Sequence, residues 1–253
     1  MLVGVDLNRR AQFADLGSDC PHVLVAGTTQ SGKSEWMRTA VASLLATNTP
    51  ETLRLMLIDP KRVTFQELGQ SPFLLGGEAI LYTPAEAIEG LRRLSDVMEE
   101  RYIQLSKAGC TDLQGLRRVM GNRTPHRIVC FCDEYGNLVA EKKHRDAIES
   151  QINQLGAKAR AAGIHLVVAT QDPRARILSP ALKSNLGGRV CLKTTSATQS
   201  LMMLEESGAE ALLGYGDLMF KTAGDPVRLQ AALLEDDERI ELFGRRAAIR
   251  VGA

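Results

Sequence analysis

A glycine-rich segment between a short apolar run and an amphipathic pattern constrains the fold of this chain more than any other feature. Residues 27–34 read GTTQSGKS and match the phosphate-loop pattern G-x-x-x-x-G-K-[ST] at every fixed position. The four residues before them are apolar and predict a buried parallel strand. Apolar residues recur after them at helical spacing, at Trp36, Met37, Ala40, Val41, Leu44 and Leu45. Strand, loop and helix follow in the order that a phosphate loop requires, so we predict a nucleotide-binding site.

The residue types of this loop suit a nucleoside triphosphate. Glycines at both ends let backbone N–H groups converge on an anion, and the following helix adds the positive end of its dipole. In this pattern Lys33 reaches the β- and γ-phosphates, and the Ser34 hydroxyl ligates Mg²⁺. The predicted nucleotide-binding residues are Gly27, Thr28, Thr29, Gln30, Ser31, Gly32, Lys33, Ser34 and Glu35.

Polar residues follow two later apolar runs. Asp133 and Glu134 follow the apolar residues 128–131 and so fall near the carboxyl end of a core strand, where a carboxylate can meet the Mg²⁺ of a bound nucleotide. We assign Asp133 to the metal and Glu134 to the base that orients the attacking water. Gln171 ends the next strand and could hydrogen-bond the γ-phosphate or that water. The alternative is that these polar residues simply end surface-facing strands.

Composition sets broad limits on the class of protein. A chain of 253 residues can form one large α/β domain, or one domain with a small appendage. The formal net charge of +1 gives no overall basic field, although a ring or groove that holds DNA needs basic residues only along its lining. No signal peptide is visible, and no apolar run approaches the roughly 20 residues of a membrane span, so we expect a cytoplasmic protein or the cytoplasmic part of a larger one.

The five cysteines include no CxxC pair. Cys130 and Cys132 lie two residues apart in an apolar run, so we expect both on one face of a buried strand. Small buried hydrophobic residues are therefore a better interpretation than a zinc site.

Strand and helix patterns alternate along the chain. Residues 1–21 resemble a short hairpin-like lead-in, and residues 22–253 follow as one domain. We predict strands at 23–26, 53–58, 79–83, 127–134, 164–171 and 188–194, and an antiparallel pair near 217–233. We predict helices from Pro84 to Gly109, over 148–162 and from Glu235. This alternation predicts an α/β fold with a mostly parallel, doubly wound central sheet flanked by helices.

Several segments together resemble the motor domain of FtsK/SpoIIIE-type DNA translocases, from about Val5 to the 230s. In chain order they are ADLGSDCPHVLVAGTTQSGKS, LRLMLIDPK, RIVCFCDEYGNL, AKARAAGIHLVVATQDP, SNLGGRVCLKTTSATQS and GAEALLGYGDLMF. The resemblance implies a RecA-like P-loop ATPase over 22–253, with ATP and Mg²⁺ as cofactors. It also implies a hexameric ring that encloses double-stranded DNA and moves it.

A ring lets a neighbouring subunit supply an arginine finger, which accelerates hydrolysis by roughly 10³–10⁵ in other NTPases. The resemblance places Arg189 in that role, with Lys193 as a weaker candidate. The implied catalytic set is thus Lys33, Glu134, Gln171 and Arg189. Alternatively, Arg189 is a charge at a strand edge without this role.

DNA contacts are predicted from basic residues, because a moving motor contacts phosphates rather than bases. The first candidates are Arg174, Arg176 and Lys183. Further candidates are the helix with Lys158 and Arg160, and the segment 61–66. Each is equally explained as an ordinary solvated surface charge. Asp172 departs from the family pattern, which usually has a basic residue there, and the stretch between the phosphate loop and Asp133 is shorter than in chromosome-segregating members.

Three other functions remain open at this point. Related motors for conjugation, secretion, DNA packaging or replicative unwinding share the superfamily. A small-molecule kinase shares the phosphate loop, but the sequence has no arginine-rich lid. A nucleotide-binding module without hydrolysis is disfavoured by Asp133 and Glu134. We expect neither a membrane segment before the motor nor a winged-helix module after it in this chain, which fits an excised domain, a plasmid or phage motor, or one piece of a larger protein.

Overall fold

The computed structural model describes residues 1–77, 80–174 and 177–248. The strands in this part of the chain are β1 (Leu2–Val5), β2 (Ala11–Phe13), β3 (His22–Ala26), β4 (Leu53–Ile58), β5 (Arg127–Cys132), β6 (Ile164–Thr170), β7 (Gly188–Leu192), β8 (Asp217–Lys221) and β9 (Val227–Gln230). The α-helices are α1 (Lys33–Thr47), α2 (Pro84–Lys107), α3 (Leu113–Met120), α4 (Tyr135–Leu138), α5 (Lys142–Lys158), α6 (Pro180–Asn185), α7 (Ala197–Leu204) and α8 (Asp236–Ala248).

The strands form a single sheet in the order β2-β1-β9-β8-β7-β3-β6-β5-β4. The five strands from β7 to β4 in that order are parallel. The four strands at the other end pair antiparallel. The predicted α/β fold with a mostly parallel central sheet flanked by helices is therefore confirmed.

The first two strands belong to this same sheet. β1 and β2 form an antiparallel hairpin, and Val5 of β1 also pairs with Gln230 of β9. Val3 is 1% exposed, and Trp36 of α1 donates its Nε1–H to the Val3 carbonyl at 2.8 Å. The hairpin therefore closes the antiparallel end of the sheet and packs on the helix that follows the phosphate loop.

Helices cover both faces of β3, which explains why each residue of this strand is buried. Val23 and Val25 pack in one hydrophobic cluster with Trp36 of α1. Leu24 and Ala26, which point to the other face, pack in a second cluster. The strand is thus held on both faces, and its carboxyl end carries the phosphate loop on a rigid base.

The strand predicted at 79–83 is wrong: in the described residues Leu81 makes only an isolated bridge with Ile58, and Ala79 lies outside them. The start of α2 explains the loss. The carboxylate of Glu86 accepts the backbone N–H groups of Tyr82 at 2.7 Å and Thr83 at 2.9 Å in a capping box. Those amides are therefore committed to the helix end and are not available to a strand.

Other sequence expectations are met. Both Cys130 and Cys132 are buried in the same hydrophobic cluster. Gly109 and Gly163 follow α2 and α5 with φ angles of 63° and 68°, a conformation that favours glycine after a helix. Across the described ranges, every helix is too short or too polar to span a membrane.

Candidate nucleotide-binding site

The predicted site residues come together at the carboxyl ends of three adjacent parallel strands. The phosphate loop, residues 27–34, joins β3 to α1, Asp133 follows β5 and Gln171 follows β6. β6 lies between β3 and β5 in the sheet. Because parallel strands end at the same edge, this order places the loop and the polar residues in one crevice.

The backbone of the phosphate loop needs its glycines. Gly32 has a φ of 94°, and a Cβ atom there would lie 2.6 Å from the backbone nitrogen of Gly216. A Cβ atom on Gly27 would lie 2.9 Å from the Cβ of Leu192. Gln30 also has a positive φ, of 65°. The loop is therefore a tightly packed turn that side chains at its two glycines would displace.

Lys33 forms an ion pair with Asp133 beneath the loop. Both side chains are nearly fully buried, at 3% and 2% exposure. The other carboxylate oxygen of Asp133, Oδ2, accepts the Thr64 hydroxyl at 2.6 Å. The lysine and the aspartate of the predicted site thus neutralise each other, and the aspartate is held from two sides.

Glu134 has a left-handed backbone conformation, with φ 56° and ψ 55°, which turns the chain from β5 into α4. Its Oε1 accepts the backbone N–H of Gln171 at 3.2 Å. Its Oε2 accepts the Lys61 ammonium at 2.9 Å. Glu134 is 4% exposed, so its carboxylate is fixed at the bottom of the crevice next to Gln171.

The segment 59–64 contacts both acidic residues, which the sequence analysis did not predict. Asp59, which is fully buried, accepts the backbone N–H groups of Thr64 at 2.8 Å and Phe65 at 3.1 Å through Oδ2. This turn positions Thr64 against Asp133 and Lys61 against Glu134. The signal in the sequence was Asp59-Pro60-Lys61 at the end of β4, the strand that pairs with β5.

Gln171 also faces the loop through its side chain. Its Oε1 lies 3.5 Å from the Thr29 hydroxyl, at the outer limit of a hydrogen bond. Gln171 therefore contacts the loop through its side chain and Glu134 through its backbone N–H. On the other side of the loop, Thr28 donates its backbone N–H and its hydroxyl to the Lys193 carbonyl, at 3.0 and 3.1 Å.

Arg189 lies away from the phosphate loop of its own chain. It is the second residue of β7, in register with Leu24 of β3, whereas the loop begins after Ala26. Its guanidinium donates to the Lys183 carbonyl and to the Gly188 carbonyl. Burial lowers the pKa of Arg189, although an arginine remains charged at neutral pH.

The predicted DNA-contacting residues lie in separate places. Arg174 is exposed and pairs with Asp172, with 2.5 Å between Nη2 and Oδ2. The Lys183 ammonium lies 3.4 Å from the Met202 sulfur. Arg176 lies outside the described residues. The Asp172 that departs from the family pattern thus binds the arginine two residues later.

The donor set fits a magnesium ion bound together with phosphates. Ser34, at the start of α1, supplies a hydroxyl and Asp133 a carboxylate, and both are oxygen ligands of the kind that Mg²⁺ takes. In the described ranges, no group of three or more histidine, cysteine or acidic residues could hold a metal alone. A site with two protein oxygens suits Mg²⁺, which usually keeps waters and binds substrate phosphates.

Comparison with known proteins identifies the family. The family model of FtsK/SpoIIIE matches residues 1–175. A DNA translocase FtsK of Streptococcus pneumoniae is 38% identical over 256 residues, covering 95% of this chain and 32% of that protein. A DNA translocase FtsK of Corynebacterium efficiens is 35% identical over 254 residues, covering 94% of this chain and 26% of that protein. The chain thus spans a third or less of the length of these relatives.

Solved structures share the fold. The conjugation coupling protein TcpA of pCW3, in its monomer form with ATPgS, superposes with a TM-score of 0.85 at 24% identity, covering 99% of this chain and 70% of that one. The cytoplasmic domain of the Thermomonospora curvata type VII secretion ATPase EccC superposes with a TM-score of 0.82 at 27% identity, covering 100% of this chain and 31% of that one. The chain therefore belongs to the FtsK/SpoIIIE family and has the RecA-like P-loop fold of an ATPase.

Proposed function

We propose that this chain is an ATP-driven motor that translocates double-stranded DNA through a ring of subunits, a hexamer by family resemblance. The observation that carries the proposal is the convergence of Lys33, Asp133, Glu134 and Gln171 on one phosphate loop. A binding module needs the loop alone. A buried carboxylate and an amide beside the loop add the groups that activate and orient water.

Each group has a distinct role in the proposed hydrolysis. The backbone of residues 27–34 holds the phosphates, and Lys33 exchanges Asp133 for the β- and γ-phosphates when the nucleotide binds. Ser34 and Asp133 would hold Mg²⁺, which would neutralise charge on the phosphate oxygens. Glu134 accepts the proton of the attacking water, and Gln171 orients that water or the γ-phosphate.

The buried hydroxyl of Ser31 supports a bound anion in the loop. Among the described residues it has no hydrogen-bond partner, and a buried hydroxyl without one is costly. A phosphate oxygen would supply the missing acceptor.

The Arg189 position supports a role in a neighbouring active site. Its guanidinium is half-buried at the start of β7 and contacts carbonyls of its own chain, away from its own loop. In a ring, that surface faces another subunit, and Arg189 then stabilises the charge that develops on the transferred phosphate of that subunit.

The decisive experiment measures steady-state ATPase activity of the chain alone, with duplex DNA and with single-stranded DNA. Stimulation by duplex, together with loss of activity in Lys33→Ala and Glu134→Gln, supports a duplex translocase. Hydrolysis that neither form of DNA changes rejects DNA as the cargo of this chain. Glu134→Gln is the matched variant, since it keeps the size of the side chain and one acceptor oxygen and removes the carboxylate that acts as the base.

The trans role of Arg189 is tested by mixing variants. Arg189→Ala and Glu134→Gln are each expected to be nearly inactive. In a mixed ring, an Arg189→Ala subunit keeps its own base and receives the arginine of a Glu134→Gln neighbour. Recovered activity on mixing supports a shared site, whereas activity equal to the average of the two variants rejects it.

A related motor for another cargo is the second candidate. The structural similarity to a conjugation coupling protein and to a type VII secretion ATPase favours it. In the same assay, preference for single-stranded over duplex DNA would select a DNA motor of another kind, and hydrolysis that neither form of DNA changes would select a motor for another cargo.

A further inference from the structure

The loop before β8 packs directly against the phosphate loop. Gly216 donates its backbone N–H to the Ser31 carbonyl at 2.8 Å. The carbonyl carbon of Tyr215 lies 3.2 Å from the position that a Cβ atom on Gly32 would occupy. Residues 214–216 therefore form one wall of the phosphate-binding turn, and no function assigned above uses them.

Tyr215 projects from this wall into solvent. Its side chain is 85% exposed, an unusual position for a large aromatic residue so close to a buried site. Its φ of 52° is a left-handed conformation that is costly for a bulky residue. Tyr215 and its neighbours are nevertheless held firmly, because Gln230 Nε2 donates to the Tyr215 carbonyl at 2.9 Å and Asp217 donates its backbone N–H to the Gly214 carbonyl at 3.0 Å.

The position of the catalytic groups gives the direction of a bound nucleotide. Glu134 and Gln171 follow β5 and β6, which lie on one side of β3 in the sheet. These residues act on the terminal phosphate, so that end of the triphosphate points toward them. The nucleoside must leave the loop away from them. The other side of β3 carries β7 and β8. Tyr215 lies two residues before Asp217, the first residue of β8, with Gly216 between them.

We propose that the exposed ring of Tyr215 stacks on the base of the nucleotide bound in the phosphate loop. This inference rests on the proposed ATP site and assigns it a contact for the adenine. An aromatic ring offers an apolar face to any base, and stacking of this kind contributes strongly to binding of nucleobases elsewhere. The backbone that carries the ring is anchored beside the loop before the nucleotide arrives, which reduces the entropy lost on binding.

The test compares two ligands that differ in the base. The binding of Mg²⁺ with ATPγS and of Mg²⁺ with inorganic tripolyphosphate is measured by calorimetry on the wild-type chain, Tyr215→Ala and Tyr215→Phe. Tyr215→Ala is expected to bind ATPγS roughly five- to a hundredfold more weakly and tripolyphosphate with unchanged affinity. Tyr215→Phe keeps the ring and is expected to bind ATPγS within about twofold of the wild type.

The matched control is Phe13→Ala, which removes an exposed aromatic side chain, 62% exposed, from the edge strand β2. The inference is overturned if Tyr215→Ala binds ATPγS as the wild type does. It is also overturned if both ligands weaken equally, which would make Tyr215 a support of the loop. A wild-type chain that binds neither ligand would instead reject the proposed nucleotide site itself.

A fluorescent variant gives an independent readout. The chain has a single tryptophan, Trp36, which is 1% exposed. In Tyr215→Trp the new indole reports on the site, and stacking predicts that ATPγS quenches its fluorescence whereas tripolyphosphate leaves it unchanged. Equal responses to the two ligands would contradict a contact with the base.

Discussion

The Lys61 ammonium lies 2.9 Å from Oε2 of Glu134, and the two residues follow neighbouring parallel strands, β4 and β5. The Lys61 side chain is 37% exposed, whereas that of Glu134 is 5% exposed. The same turn that carries Lys61 also brings the Thr64 hydroxyl to Asp133. One segment, 59–64, therefore holds both acidic residues of the proposed active site.

Replacing Lys61 by methionine should lower kcat for ATP by roughly ten- to a hundredfold, because small displacements of a catalytic group have effects of this size. Without the ammonium, the buried carboxylate of Glu134 keeps only the Gln171 N–H and is free to rotate. KM for ATP should change little, since within the described residues the Lys61 ammonium binds Glu134 rather than Lys33 or the phosphate loop. Steady-state ATPase assays separate the two constants.

The neighbouring residue provides the control for Lys61. The guanidinium of Arg62 lies over the ring of Tyr82, 4.3 Å from its centroid. Replacing Arg62 by methionine therefore removes a similar charge from the same turn without touching Glu134. Arg62→Met should keep kcat within about twofold, and Lys61→Arg should restore part of the activity. A Lys61→Met enzyme with wild-type kcat would mean that Glu134 needs no positioning by the lysine.

The buried pair Lys33–Asp133 should stabilise the nucleotide-free fold only as a pair. Lys33→Met leaves the Asp133 charge buried with the Thr64 hydroxyl, so it should lower the free energy of unfolding by about 3–5 kcal/mol. Lys33→Met combined with Asp133→Asn removes both charges and should recover a large part of that loss. Guanidinium unfolding of the single and double variants measures the coupling.

The same loss of stability is expected for Lys33→Ala, the inactive control in the ATPase assay, because that variant also leaves the Asp133 charge buried without its lysine. If the single variants are as stable as the wild type, the ion pair contributes nothing to the fold. If the losses of the single variants simply add in the double variant, the two charges are not coupled.

Gly32→Ala should destabilise the chain more than Gly109→Ala, although both glycines have a positive φ, of 94° and 63°. A Cβ atom on Gly32 would lie 2.6 Å from the nitrogen of Gly216, whereas one on Gly109 would have nothing within 4 Å. Gly109→Ala thus measures the conformational cost alone, about 1–2 kcal/mol. The excess loss in Gly32→Ala, seen in thermal or denaturant unfolding, reports the docking of residues 214–216. Equal losses would show that this docking is loose in solution.

The sequence was most informative where local pattern and local structure coincide. The strand, the phosphate loop and α1 are contiguous, so a single local pattern predicted them together. The apolar runs of β5 and β6 likewise placed Asp133, Glu134 and Gln171 at strand ends. Parallel strands then brought these ends to one edge.

Contacts between distant segments were not predictable in the same way. Thr64 meets Asp133 across 69 residues, and Lys61 meets Glu134 across 73. Their pairing depends on a turn that Asp59 holds and on the order of β4 and β5 in the sheet. Tyr215 reaches the phosphate loop only because β8 joins the sheet beside β7. The strand expected at 79–83 failed for a competing local reason, since Glu86 takes the amides of Tyr82 and Thr83.

The stability of the chain should fall as the pH decreases from about 6.5, because two buried histidines resist protonation. Burial lowers the pKa of His22 to about 4, and burial with the nearby charge of Arg127 lowers that of His165 to about 3. The unfolded chain takes up protons on these residues below pH 6.5 whereas the folded chain remains neutral until about pH 4. Each histidine therefore reduces the free energy of unfolding by up to about 1.4 kcal/mol per pH unit in this range.

Denaturant unfolding at pH 7.5, 6.5, 5.5 and 5.0 measures this dependence. In His22→Asn the amide oxygen can still accept the backbone N–H of Leu166, which His22 Nδ1 now accepts at 3.0 Å, but the titrating group is gone. The variant should therefore lose stability less steeply between pH 6.5 and 5.0 than the wild type. His144→Asn, which removes a histidine beside Glu141 near the start of α5, serves as the comparison variant. Parallel pH profiles for wild type and His22→Asn would mean that His22 becomes protonated in the folded chain as readily as in the unfolded one.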